Sequence, residues 1–356
     1  MTPWRLVALV ATLLFGAATP VPQLPSRTVD LRQWGYNAPP GPGISYGEFY
    51  LPMPLVSVYK NGDVAAGFVT RGGATFGVRG RPTLVLHALR FDSQGNFLSR
   101  SKSPTMAWRG NGIFAVGGGD LLVRTPDALT LWSQQGTVLA TRNLVDPYTS
   151  VEMSPNRETL LLVRPGYDVH LLLAPELTSL KACTDHESVH SISNGGLAIG
   201  FHGEPNHVVV SEICGPAQFE YHWTRRNARG ATLLDDRRFV IRGPSGIEAV
   251  DRDVPLWHDF FGKSEIVQEL ESDENGTILA VALSKYVGGS DLLDINGHLK
   301  TMRIIIYRTS DGRRLAQVVV EHPPRIPSNF FALSRDGSLL AILSDGFLQI
   351  TALSAQ

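Results

Sequence analysis

Two imidazoles and a carboxylate crowd into one short stretch, His202-Gly203-Glu204-Pro205-Asn206-His207. Histidine nitrogen and carboxylate oxygen are zinc ligands, but zinc takes a closed or nearly closed set at fixed distances. His202, Glu204 and His207 are therefore weak metal candidates, with His186 and His190 the nearest further imidazoles. Solvated loop histidines are the plainer reading, and no metal is expected. Asp291-Leu292-Leu293-Asp294-Ile295-Asn296-Gly297 has the residue types of a calcium loop without its spacing, and no acidic residue closes it at the required distance. A serine nucleophile on a Gly-x-Ser-x-Gly elbow is excluded at Gly243-Pro244-Ser245-Gly246-Ile247, which lacks the last glycine. Gly117-Gly118-Gly119 has no helix pattern after it, so it is not a phosphate loop. No cofactor is expected.

Two long charged loops are better candidates for binding. Arg71–Pro82 carries Arg71, Arg79 and Arg81 among four glycines, and Tyr286–Thr301 carries Asp291, Asp294 and His298. Long loops on a rigid scaffold are where binding tends to reside. Brought to one face, they would form a rim that is basic on one side and acidic on the other; tolerated surface insertions are the alternative. The only two cysteines, Cys183 and Cys214, are a disulfide candidate in an exported protein, or else two buried thiols.

The elements that must position these residues are strands. Apolar segments are short and rich in Val, Ile, Leu and Phe, turn residues interrupt them, and no helical period is sustained. One phrase recurs: Ser154-Pro155-Asn156-Arg157-Glu158-Thr159-Leu160, Ser334-Arg335-Asp336-Gly337-Ser338-Leu339-Leu340 and, more loosely, Ser272-Asp273-Glu274-Asn275-Gly276-Thr277-Ile278. Each reads as a strand end, a tight polar turn and a new strand, the mark of a radial β array. The strands fall into seven groups: 55–101, 112–143, 150–184, 188–223, 230–261, 265–321 and 330 onward. The last group has three strands where a blade has four. Arg27-Thr28-Val29-Asp30-Leu31 alternates polar and apolar and supplies the fourth, closing the ring; a plain Pro/Gly-rich linker is the alternative. Trp108, Trp132, Trp223 and Trp257 are expected to pack between blades rather than to form a sugar-binding strip.

The bulk properties bound the partners. Lys and Arg total 32 against 33 Asp and Glu, with no basic block of the kind that tracks nucleic acid. Arg5, the apolar run Leu6–Phe15 and the small residues Gly16, Ala17 and Ala18 read as a secretory signal peptide, with an uncleaved anchor as the alternative. The expected division is a signal peptide over residues 1–18, an N-terminal segment with the closing strand over 19–48, and an all-β, seven-bladed β-propeller over 49–356.

The Ser-Pro-Asn-Arg-Glu-Thr-Leu and Ser-Arg-Asp-Gly-Ser-Leu-Leu phrases, with the blade spacing, resemble YVTN-type and tryptophan–aspartate-type repeat propellers and the related propeller of the Tol system. No blade ends in Trp-Asp or carries a good Tyr-Val-Thr-Asn match. The expectation is a secreted or periplasmic, monomeric binding or scaffolding module for a protein or envelope component. The alternative is a propeller hydrolase or lactonase-type enzyme with a site at the mouth of the central channel. Glu152, His190, Asp236, Glu269 and Arg335 lie near inner strands, and their convergence on the axis within metal-ligand reach would favour the enzyme.

Overall fold

The computed structural model describes residues 21–36, 55–76, 82–102, 112–116, 119–125, 127–144, 150–163, 168–174, 176–184, 188–202, 206–225, 228–262, 264–286, 299–323 and 330–353. Residues 1–18, expected to be a signal peptide, lie outside them. Among the described residues, twenty-eight strands form seven four-stranded antiparallel sheets, each a blade.

Strand β1 (Arg27–Asp30) comes first. Blade one holds β2 (Leu55–Val58), β3 (Val64–Phe76), β4 (Pro82–Phe91) and β5 (Phe97–Lys102). Blade two holds β6 (Gly112–Val116), β7 (Asp120–Arg124), β8 (Ala128–Trp132) and β9 (Val138–Asn143). Blade three holds β10 (Ser150–Met153), β11 (Thr159–Val163), β12 (Asp168–Leu173) and β13 (Ser179–Thr184). Blade four holds β14 (Ser188–Ile192), β15 (Leu197–Phe201), β16 (His207–Glu212) and β17 (Ala217–His222). Blade five holds β18 (Gly230–Leu233), β19 (Arg238–Arg242), β20 (Gly246–Asp251) and β21 (Val254–Phe260). Blade six holds β22 (Glu265–Ser272), β23 (Ile278–Tyr286), β24 (Leu299–Arg308) and β25 (Arg314–Val319). Blade seven holds β26 (Phe331–Leu333), β27 (Leu339–Ser344) and β28 (Phe347–Ala352).

Strand β1 completes blade seven from the other end of the chain. It pairs antiparallel with β28, Arg27 opposite Ile350 and Asp30 opposite Phe347. Just before it, Gln317 of β25 donates its N–H to the Pro22 carbonyl and accepts from the Leu24 N–H. The N-terminal segment therefore touches blade six before it enters blade seven. Val29 and Leu31 are buried with Val56 and Val64 of blade one and Leu348 of blade seven. The alternation seen in the sequence is what allows one face of this strand to enter that core.

The first strand of each blade is innermost, since β2 lies beside β6, β10 beside β14, and β14 beside β18 around the axis. The core is not one mass. Seven buried apolar clusters occur, each made of residues from two successive blades. Sheet faces are hydrophobic because each must cover its neighbour. Tryptophans fill these wedges: Trp132 packs with blade one, Trp223 with blade five, and Trp257 stacks on Tyr307 of blade six at 5.8 Å. Trp108 lies outside the described residues.

Candidate functional site

The recurring phrase builds the turn between the first and second strands, beside the axis. A buried residue, Ser154, Asp273 or Ser334, holds the turn from inside, so the third copy begins at Asp273 and not at Ser272. Ser154 Oγ accepts the Thr159 N–H at 3.0 Å, and Ser334 Oγ the Leu339 N–H at 2.9 Å. Asp273 Oδ1 accepts the N–H groups of Thr277 at 2.6 Å and Ile278 at 2.8 Å. Blade four carries a fourth copy, Ser193-Asn194-Gly195-Gly196-Leu197, in which Ser193 Oγ accepts the Leu197 N–H at 3.1 Å. These are buried polar groups with their hydrogen bonds made, which is the condition for burying them at low cost.

Residues in and beside these turns, most of them half-buried, meet around the axis. Arg157 of blade three pairs with Glu271 of blade six at 2.9 Å. Arg335 of blade seven pairs with Glu274 of blade six at 2.7 Å. Asn194 of blade four donates to the Glu274 carbonyl at 2.7 Å and accepts the Asn156 N–H at 2.8 Å. Blades three and six are not neighbours in the ring, so a direct contact between them must cross the central channel. Ion pairs and amides thus span the axis on the face of the first-to-second-strand turns. Burial pushes the Glu271 carboxyl up to about 7, against the opposing pull of Arg157 and a backbone hydrogen bond from Leu333. Burial alone pushes Glu152, on the inner strand β10, up to about 8.

Of the five residues that would signal an axial catalytic set, Arg335, Asp236 and His190 have other partners, while Glu152 and Glu269 remain on inner strands. Arg335 belongs to this network. Asp236 accepts from Ser193 Oγ at 2.5 Å. His190 packs edge-on to Phe201 at 4.8 Å, and burial with the Arg242 charge holds it below the ordinary histidine range. Glu152 and Glu269 lie on β10 and β22. Among the described residues, the one group of three His, Cys, Asp or Glu side chains within metal-binding reach lies elsewhere, at His207, Glu220 and His222. His202 and His207 do come together, ring to ring at 5.8 Å. Glu204 lies outside the described residues. Glu220 and His222 are site residues that sequence spacing does not find, because strand register brings them to His207.

On the opposite face the binding-loop expectation needs correction at one point. Arg71 is not in a loop: β3 continues through it, with Arg71 opposite Leu84, and runs on to Phe76. Arg79, Arg81, Asp291, Asp294 and His298 lie outside the described residues. What the structure adds is height. Strand β3 has 13 residues where the second strand of blades two to five has five. Among the described residues, β2 pairs with β3 as far as Gly67 and β5 pairs with β4 from His87 onward. Among the described residues, the segments beyond those points pair with each other as a projecting two-stranded hairpin. Blade six is also tall, with β23 of nine residues and β24 of ten.

His87 anchors the base of the blade-one hairpin. Arg100 donates from Nη2 to His87 Nδ1 at 2.9 Å, and arginine has no acceptor, so the ring proton is on Nε2 and is donated to Thr70 Oγ1 at 2.8 Å. Burial, aided by the charges of Arg100 and Lys102, pushes this imidazole down to about 4. It is a neutral strut stacked on Phe68 at 4.9 Å. Cys183 of β13 and Cys214, in the turn between β16 and β17, form a disulfide that joins blades three and four. No helix among the described residues is long and apolar enough to cross a membrane.

No protein-family model matches the chain. No curated protein matches it. Solved structures do: a chain in the crystal structure of the mitotic checkpoint complex aligns with a TM-score of 0.59 at 13% identity, over 96% of this chain and 95% of that one. Chaetomium thermophilum Raptor aligns with a TM-score of 0.58 at 12% identity, over 86% of this chain and 28% of that one. The C-terminal WD40 domain of Sif2 aligns with a TM-score of 0.49 at 10% identity, over 94% of this chain and 99% of that one. The first two likenesses are of fold, and with the blade topology they make this chain a seven-bladed β-propeller.

Proposed function

We propose that the chain is an exported propeller that binds a protein or envelope component on the face carrying the second-to-third-strand hairpins. The observation that carries the reading is the β3–β4 hairpin, which among the described residues runs past the strands on either side of it while blade six stands tall one blade away. A raised element on a rigid ring offers a contact edge whose ordering cost is already met by folding. In this reading Arg71, Arg79 and Arg81 form the basic side of the contact and Asp291, Asp294 and His298 the acidic side. Capture of Glu271 and Glu274 by arginines at the axis favours binding over an axial hydrolase or lactonase-type site. The disulfide suits an oxidising compartment, as does the secretory pattern of residues 1–18. That a chain of similar fold occurs in the mitotic checkpoint complex supports a protein as the ligand.

The test replaces residues 72–81 with an Asn-Gly turn. Envelope proteins captured by photo-cross-linking to the mature chain are identified, and the affinity of the purified partner is measured for both forms. Binding is expected to fall at least tenfold while circular dichroism and melting temperature are kept. Equal affinity in the two forms removes the hairpin reading. Turnover of a lactone panel by both forms moves the assignment to the hydrolase alternative.

A further inference from the structure

His202, His207 and His222 stand in one row across three strands of blade four. His222 lies directly opposite His207 in the β16–β17 ladder. The His202 N–H donates to the His207 carbonyl at 3.0 Å, extending the β15–β16 ladder by one pair beyond Phe201 and Val208. Residues opposite one another on antiparallel strands project from the same face, with Cβ atoms about 5 Å apart. The rings follow this geometry: His207 and His222 stack at 4.2 Å, and His202 meets His207 edge-on at 5.8 Å. Glu220 precedes His222 by two residues and so shares its face, and its Oε2 lies 2.9 Å from His207 Nε2. One ligand atom from each of His207, Glu220 and His222 lies within 4.8 Å of the other two. The His207 side chain is 17% exposed and Glu220 53%, so the cluster is backed by the blade and open to solvent in front.

We propose that this row is a binding site for one divalent ion of the zinc class, held by His207, His222 and Glu220, with His202 as the fourth ligand. Imidazole with a single carboxylate suits zinc and its borderline neighbours, whereas calcium and magnesium want oxygen throughout. Ligands at 2.0–2.1 Å in a tetrahedron are about 3.3 Å apart. The ligand atoms of His207, Glu220 and His222 must therefore close by up to about 1.5 Å, which χ rotation supplies without moving the strands. Binding replaces the ring stack and the His207–Glu220 hydrogen bond with metal bonds. The site ties the second, third and fourth strands of one blade together at the rim. It lies at the second-to-third-strand hairpin of blade four, on the same face as the blade-one hairpin, but shares no residue with it.

The mature protein, stripped with chelator and with its disulfide intact, is titrated calorimetrically with Zn2+ alone, and Co2+ absorption reports the ligand geometry. One ion per chain is expected. His207→Ala, His222→Ala and Glu220→Gln should each weaken binding by roughly tenfold or more, whereas His258→Ala on β21 leaves it unchanged. Imidazole binds a metal only when deprotonated, so uptake weakens on acidification. Melting curves check the fold, and His222→Ala, which removes an exposed side chain, decides the matter if His207→Ala does not fold. Absence of saturable uptake, or uptake kept by the His207→Ala/His222→Ala double variant, overturns the proposal.

Discussion

Arg157 occupies a backbone position that its sibling turns give to glycine. Its φ is 61°, and the equivalent residues of blades four, six and seven are Gly196 at 83°, Gly276 at 61° and Gly337 at 70°. A left-handed conformation costs a residue with a side chain about 1–2 kcal/mol. Here the side chain that causes the cost also reaches Glu271 across the axis, so strain and ion pair offset one another. Arg157→Gly made in a Glu271→Gln background is therefore expected to stabilise by about 1 kcal/mol in urea unfolding. The same change in the native background should gain less, because it also leaves the Glu271 carboxylate without its arginine. Glu152 gives a second prediction at this scale. Its carboxyl titrates at about 8 in the folded chain against a reference of 4.5. The native state thus holds a proton that the unfolded chain releases, and stability is lost as pH rises between those values. Glu152→Gln should match the native melting temperature below pH 4.5 and exceed it by a margin that grows until about pH 8. A constant margin across that range would show that Glu152 is not the titrating group.

At the scale of blades, the wedges differ in size. Among the described residues, the cluster between blades seven and one has 15 buried apolar residues, and the one between blades three and four has six. The disulfide is at that smaller wedge, and Cys183 and Cys214 pack against its apolar residues. A crosslink between residues 31 apart removes chain entropy from the unfolded state worth about 3–4 kcal/mol. Cys183→Ser/Cys214→Ser is expected to lower stability by that order in denaturant titration, with blades three and four losing hydrogen-exchange protection first. Loss spread evenly over all blades would argue against a local staple. The seven strand groups were legible because turn residues bound the strand pairs, several of them glycines at positive φ, as at Gly62, Gly136 and Gly312. The β3 extension was not, because Gly72-Gly73 reads as a breaker. In the fold, Leu84 and Thr83 supply ladder partners for Arg71 and Gly72, which local sequence cannot show. The histidine row was hidden for a related reason. Positions 202, 207 and 222 have no sequence period, and only the hairpin registers place them side by side. The fourth copy of the axial turn went unseen because Ser193-Asn194-Gly195-Gly196 replaces the acidic and basic residues that marked the other copies.

For the whole molecule, the decisive contact is between its two ends. Strand β1 covers the outer edge of β28 and puts Val29 and Leu31 into the cluster shared by blades seven and one. Burying two such side chains contributes about 3–6 kcal/mol, and the pairing also hides an edge that would recruit other strands. Deleting residues 21–31 is expected to lower the melting temperature and to produce concentration-dependent association by light scattering. A truncated chain that stays monomeric with an unchanged melting curve would mean that β1 is decoration rather than closure.

Position 27 waits for position 350, its partner in the ladder. Every other blade can zip from neighbouring segments as the polypeptide emerges, whereas this last clasp forms only when positions 27 and 350 are present in one compartment. A transport machine that feeds the thread through a pore, leading end first, would thus receive an unlatched necklace and release a locked wheel.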